Sequence, residues 1–230
     1  MRITPPIFIG LALAVLCAAE EPRRWNVTAE CQMIVLPQKL ALPLLPQLND
    51  EATIESAYAQ LQEWIAKGDA QLAAHIVAKA LDGEKAEAVA VEEFRYATEY
   101  DPPHLPTESP VNLEVLKAWP VVGITPTAFE TRNIGASLEF ECRVQSYRNV
   151  ILTTCVPQQV RFLRWVKADA GVLPDGKRLF VEQPIFHSVK TTSIVALRNG
   201  QRVLLGVHKL PEPADALELF VLKVSAVLAP

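Results

Sequence analysis

The sequence predicts an α+β fold, in which a small β-α-β-β unit precedes a mainly antiparallel β-domain. Three observations predict it. Ile54, Tyr58, Leu61 and Ile65 recur at helical spacing, whereas most other apolar runs alternate with a period of two. Asp82-Gly83 and Asn199-Gly200 each stand between alternating runs, where such dipeptides favour tight turns. From about residue 133 onward, β-rich runs follow one another with turn residues between them and no second helical period.

The first elements follow from local chemistry. Residues 1–19 carry Arg2, an apolar run from Ile7 to Val15, and Cys17-Ala18-Ala19. This is the layout of a secretory leader, and the run is short of the roughly 20 residues of a spanning helix. Val27 to Leu36 is strand-like, and Pro37, Pro43 and Pro46 are expected to exclude a continuous helix after it. Asn49 or Asp50 then caps the periodic helix, which Gly68 ends. Residues 70–96 suit either an Ala-rich helix or two strands. The alternation on both sides of Asp82-Gly83 favours a hairpin.

Residues 100–119, rich in proline, read as a connector between units at 20–99 and 120–230. In the second unit Leu138, Phe140, Cys142 and Val144 alternate, and SYRN (146–149) makes a turn. VILTTCVPQQVRFLRW (150–165) runs back as the next strand, and residues 167–180 are expected to form a loop. Ile194 to Arg198 and Gln201 to Leu205 are predicted to pair about Asn199-Gly200. A type I′ turn there would have positive φ at both central residues. LELFVLKVSAVL (217–228) closes the chain, and with residues 137–145 it is expected to supply the open edges.

Composition excludes several function classes. A net charge of −4 with no basic cluster argues against nucleic acid. His75, His104, His187 and His208 show no metal spacing, and there is no GxSxG, P-loop or GxGxxG text. Glu92-Glu93 and Glu139/Glu141 are adjacent carboxylates on solvated strands rather than opposed groups in a cleft. Lys190, Arg198 and Arg202 read as exposed charges that discourage edge pairing. Catalysis is not indicated, and no cofactor is implied. Cys142 and Cys155 lie on strands predicted to pair; a disulfide and two buried free thiols suit them equally. Alternation over 137–156 fits a barrel strand or a half-buried sheet, and the few aromatic residues favour the sheet.

The order of these elements resembles the C-terminal domain of bacterial secretins, the ring-forming outer-membrane proteins of type II and III secretion and type IV pilus systems. The residues that carry it are Gly135 in the first core strand, Pro184-Ile185-Phe186 with Thr191 and Thr192, and Asn199-Gly200-Gln201 with Val203 and Gly206. The likeness covers about residues 120–230 well and 85–120 loosely. Where secretins carry a longer pore-associated text, only HKLPEPADA (208–216) stands here. The resemblance implies a non-enzymatic, exported protein of the periplasm or outer membrane, either a homo-oligomer or a partner of envelope secretion or pilus proteins. The alternative is a soluble periplasmic adaptor or binding module on the same β-scaffold, forming no pore.

Overall fold

The computed structural model describes residues 24–102, 123–173 and 176–229. The segments read from the sequence as a leader, 1–19, and as a connector, beyond Pro102, lie outside them. Among the described residues, nine strands and two α-helices make an α+β fold whose strand pairs are all antiparallel. In chain order they are β1 (Trp25–Pro37), α1 (Gln38–Leu48), α2 (Ile54–Lys67), β2 (Gln71–Leu81) and β3 (Lys85–Asp101). Then come β4 (Thr125–Gln145), β5 (Val150–Val172), β6 (Arg178–Lys190), β7 (Ser193–Arg198), β8 (Arg202–Lys209) and β9 (Ala216–Leu228).

The prolines after β1 do not prevent a helix. Pro43 and Pro46 sit inside α1, where each removes one backbone donor at a cost of about 3 kcal/mol. Both rings lie on the exposed side, while Ala41, Leu44 and Leu48 point into the core. Burial of each leucine returns roughly 1.5–3 kcal/mol, so packing overrides propensity. In α2, Ile54, Ala57 and Leu61 are buried, and Gly68 closes the helix in the left-handed conformation at φ 84. The N-cap is Thr53 rather than Asn49 or Asp50; the Asp50 carboxylate instead accepts the Ala52 N–H at 3.0 Å.

Two sheets and the helices form three layers. The first sheet has the order β2-β1-β9-β8, and the second runs β3-β4-β5-β6, with β7 also on β5. Alternation divides the side chains of β1 and β9. Cys31, Met33, Phe220, Leu222 and Val224 face Leu138, Phe140 and Ile151 of the second sheet. Ile34, Leu36, Leu217 and Leu219 face the helices. The terminal strand β9 and the strand at 137–145 are therefore interior strands, each paired on both sides. The open edges are β2 and β8 in one sheet, and β3 with β6 and β7 in the other.

The segment expected as a loop at 167–180 is mostly strand, because β5 continues to Val172 and β6 starts at Arg178. Residues 70–96 are two strands, but Asp82-Gly83 does not join them as a hairpin: β2 pairs with β1, and β3 with β4. Asn199-Gly200 behaves alike, since β7 pairs with β5 and β8 with β9. Each dipeptide is an arch that carries the chain from one sheet to the other.

The reason is visible in the hydrogen bonds. The Asp82 carboxylate accepts the Val144 N–H at 2.7 Å, and the Gly83 N–H donates to the Cys142 carbonyl at 2.8 Å. In the second arch Asn199 Oδ1 accepts the Ala226 N–H, its Nδ2 donates to the Ala226 carbonyl, and the Gly200 N–H donates to the Val224 carbonyl at 2.8 Å. Both turns thus dock on alternate residues of a third strand. Gly83 and Gly200 have φ of 81 and 82, while Asp82 and Asn199 keep negative φ. Positive φ at the third position alone is the type II pattern, not the type I′ expected.

Candidate functional site

The second sheet opens into two ribbons. The β4–β5 ladder ends at Gly135 and Val160; beyond it β4 continues with β3 alone and β5 with β6 alone. Gly135 permits the parting. Its φ is 133, and a Cβ there would lie 2.3 Å from the Ala90 carbonyl oxygen, so only glycine lets β3 approach so closely. Farther out the ribbons meet again through aromatic rings. Phe94 stacks on Phe162 with centroids 5.1 Å apart and meets Phe186 edge-on at 5.5 Å. Trp165 lies 5.7 Å from Phe94, and the Arg132 guanidinium sits over Phe186. Near the tips the Tyr100 hydroxyl donates to the Glu182 carbonyl at 3.1 Å.

At the root of the ribbons a polar cluster bridges the two sheets. Glu218 of β9 is fully buried and faces the second sheet, where Arg161 of β5 grips both its carboxylate oxygens, Nη1 to Oε2 at 3.1 Å and Nη2 to Oε1. Arg161 also donates to Gln159 at 2.6 Å. Burial pushes the Glu218 carboxyl above the ordinary carboxylate range, and Arg161 pulls against that shift. His187, opposite Arg161 in the ladder, is held below its ordinary value by burial and by that guanidinium. His208, opposite Glu218, is lowered by burial and by His187. Its Nε2 lies 2.9 Å from Thr191 Oγ1, and its ring packs on Phe220. A Cβ on Gly206 would fall 2.9 Å from that hydroxyl and 3.0 Å from Nε2.

The residues singled out in the sequence divide between these places. Thr191 and Gly206 meet at the cluster; Thr192 stands beside Thr191 in the short break between β6 and β7. Phe186 belongs to the aromatic contact, and Pro184 and Ile185 precede it on β6 opposite Trp165 and Arg164. Gln201 closes the Asn199-Gly200 arch by accepting the Arg198 N–H at 2.7 Å. Val203 packs against the core from β8. Cys142 and Cys155 are free thiols that face Thr153 and Phe140 rather than each other. Burial pushes Cys142 to about 11 and Cys155 to about 12, with Cys31 also at about 12, which leaves all three unreactive.

Arg161 and Glu218 were not among the residues singled out. A usable signal existed: Glu218 falls in the same alternation as Phe220, Leu222 and Val224, so an inward carboxylate requires a buried partner. Among the described residues no group of three metal-ligating side chains converges, and no helix is long and apolar enough to cross a membrane.

No protein-family model matches the chain, and no curated protein matches it at a significant level. Solved structures to which it is similar are secretins. They include the secretin of the ETEC pilotin–secretin AspS–GspD complex (11% identity, TM-score 0.40) and the Salmonella SPI-1 type III secretion injectisome secretin InvG (11%, TM-score 0.39). The V. cholerae type IV competence pilus secretin PilQ is a third (12%, TM-score 0.32). In each comparison 90% of this chain is covered, against 50%, 66% and 58% of the respective secretin chain. The chain thus spans half to two thirds of the length of those proteins.

Proposed function

We propose that the chain is a non-enzymatic structural protein of a bacterial envelope, which assembles side by side with copies of itself in a secretion- or pilus-type complex at the outer membrane. One observation carries the reading. The second sheet ends on both sides in open strands, β3 and β6, that run antiparallel to each other. The β6 edge of one copy can therefore receive the β3 edge of the next in an antiparallel ladder. Repetition of such a head-to-tail contact closes a ring when the rotation permits. Charge supports the same partner choice: β3 carries Glu87, Glu92, Glu93, Glu99 and Asp101 against Lys85 and Arg95, whereas β6 carries Arg178 and Lys190 against Glu182.

The order of motifs described from the sequence supports the envelope setting and the secretin-like role. Size-exclusion chromatography with light scattering, in buffer and in detergent, tests it. Discrete high-mass oligomers are expected. A protein that stays monomeric in both, up to high micromolar concentration, would favour the soluble adaptor instead.

A further inference from the structure

At the root of the ribbons the apolar core between the sheets gives way to titratable groups. Val189 and Phe220 belong to that core. Two residues back along each strand, on the same face, stand His187 and Glu218. Glu218 is fully buried and held by Arg161 through both oxygens. His187 lies on β6 of the second sheet and His208 on β8 of the first. The two imidazoles are near enough for each to feel the other's charge across the gap between layers. Each comes from an outer strand held there by a single neighbour, β6 by β5 and β8 by β9.

The cluster also straddles a bend. Leu163 is the extra residue of a bulge in β5, between the partners of Phe186 and Ile185, and bulges bend a strand. Arg161 stands just before it and Arg164 just after. Both reach out of the second sheet, Arg161 to Glu218 of β9 and Arg164 to Glu212 in the connection from β8 to β9. The Arg164–Glu212 pair is half exposed on both sides, and such a pair holds little by itself. The buried cluster is therefore what fixes the β5–β6 ribbon to the β8–β9 hairpin. Thr191 Oγ1, 2.9 Å from His208 Nε2, completes it.

With both histidines neutral the charges balance. The elements packed here bring Arg161 and Arg164 from β5, Glu218 from β9 and Glu212 from the β8–β9 connection. They also bring the exposed Lys209 of β8 and the Cys31 thiol of β1, which burial keeps protonated. Glu218 is the cross-strand neighbour of His208, but Arg161 already engages both its oxygens. Protons on His187 and His208 therefore add two cations with no free anion among these groups, and uncompensated charge is costly where water is excluded. Because the histidines stand on different sheets, their repulsion acts across the gap. Burial and the Arg161 guanidinium hold His187 below 6.5, and burial with His187 does the same to His208. Entry of water restores the ordinary value. The open form thus takes up protons, and it gains on the closed one as pH falls through 6.5. Glu218, raised by burial in the closed form, works in the opposite sense.

We propose that this cluster is an acid-released clasp: protonation of His187 and His208 parts the root of the β5–β6 ribbon from the β8–β9 hairpin, while the apolar core between the sheets stays closed. The angle of the ribbon to the first sheet is then fixed at neutral pH and freed in mild acid. The device belongs to the single chain and stands whether or not copies assemble, so its failure leaves the assembly reading untouched.

The test uses the full-length protein at about pH 7.5 and about pH 5.5, with light scattering to hold the oligomeric state the same at both. Amide hydrogen exchange is followed peptide by peptide and expressed as protection factors, which removes the intrinsic pH dependence of exchange. The expected result is a loss of protection of at least about tenfold in residues 159–166, 183–191 and 203–210 on acidification. Residues 27–33 and 219–224, in the middle of β1 and β9, should keep theirs. Imidazole proton NMR should show both histidines titrating in step with the loss. His187→Gln with His208→Gln should retain at the lower pH the protection it has at the higher. Equal protection at both pH values, a loss spread evenly over β1 and β9 as well, or a loss that the double variant retains overturns the proposal. The parent protein alone decides the first two outcomes, whether or not the double variant folds.

Discussion

Glu218 and Arg161 show how much a single pair can constrain the fold. The carboxylate is fully buried and its partner's side chain is 23% exposed, so the pair closes the gap between sheets where the ribbons leave. Removing one member strands the other's charge. Arg161→Met should cost roughly 3 kcal/mol in urea unfolding, near the lower end for broken buried pairs because Arg161 reaches solvent, whereas Arg161→Met with Glu218→Leu should recover most of it. A single variant as stable as the parent would show that the carboxylate is already neutral. The histidines beside the pair give a pH signature. Their folded values lie below the ordinary 6.5, so the unfolded chain takes up protons first and stability falls as pH drops below about 6.5. Glu218, raised in the fold, works in the opposite direction as it protonates. His187→Gln with His208→Gln should therefore flatten the decline in Tm between pH 7 and 5.5; an unaltered slope would place its origin elsewhere.

At the scale of elements, the alternation of β2 and β4 was legible because each has one face on a core, whereas β1 and β9, which serve both cores, read as near-continuous apolar strands. The helix at Ile54–Lys67 was legible for the same reason at helical spacing. Pairing partners were not. An Asx-Gly dipeptide specifies that the chain turns, but whether the flanking strands pair depends on acceptors distant in sequence, here Cys142 and Val144 for Asp82-Gly83, and Val224 and Ala226 for Asn199-Gly200. Helix α1 was missed because the prolines were read without knowing which face would be exposed. Of the candidate site, Thr191 and Gly206 were found by motif order, while the ribbons' aromatic contact and the Arg161–Glu218 pair depend on how β5 crosses other strands. Gly200→Val tests the arch. Space is open around Gly200, so its cost is purely conformational, about 1–2 kcal/mol for a β-branched residue at positive φ. Calorimetry should show a Tm lowered accordingly, and an unchanged Tm would mean that the arch readily adopts another turn.

The whole molecule is interleaved in a way that the division at 100–119 does not suggest. β1 pairs along its full length with β9, and β3 along its length with β4, so each sheet takes strands from both sides of that connector. Both cores do the same: Ile34 and Leu61 pack with Leu219 under the helices, and Cys31 packs with Phe140 and Phe220 between the sheets. A fragment of residues 20–99 would expose the edge of β1 that β9 pairs with and leave β3 without a partner. Few isolated strand pairs survive such exposure. We therefore expect residues 20–99 to be unfolded when expressed alone, and truncation of 217–230 to unfold the whole chain rather than merely free an edge. Trp25 packs on the core between the sheets and Trp64 on the core under the helices, which gives a direct check. Single-tryptophan variants retaining one or the other should melt at the same temperature, as one cooperative unit requires. Two separated transitions, or a folded 20–99 fragment by circular dichroism, would instead establish two domains and confine the coupling between sheets to the assembled state.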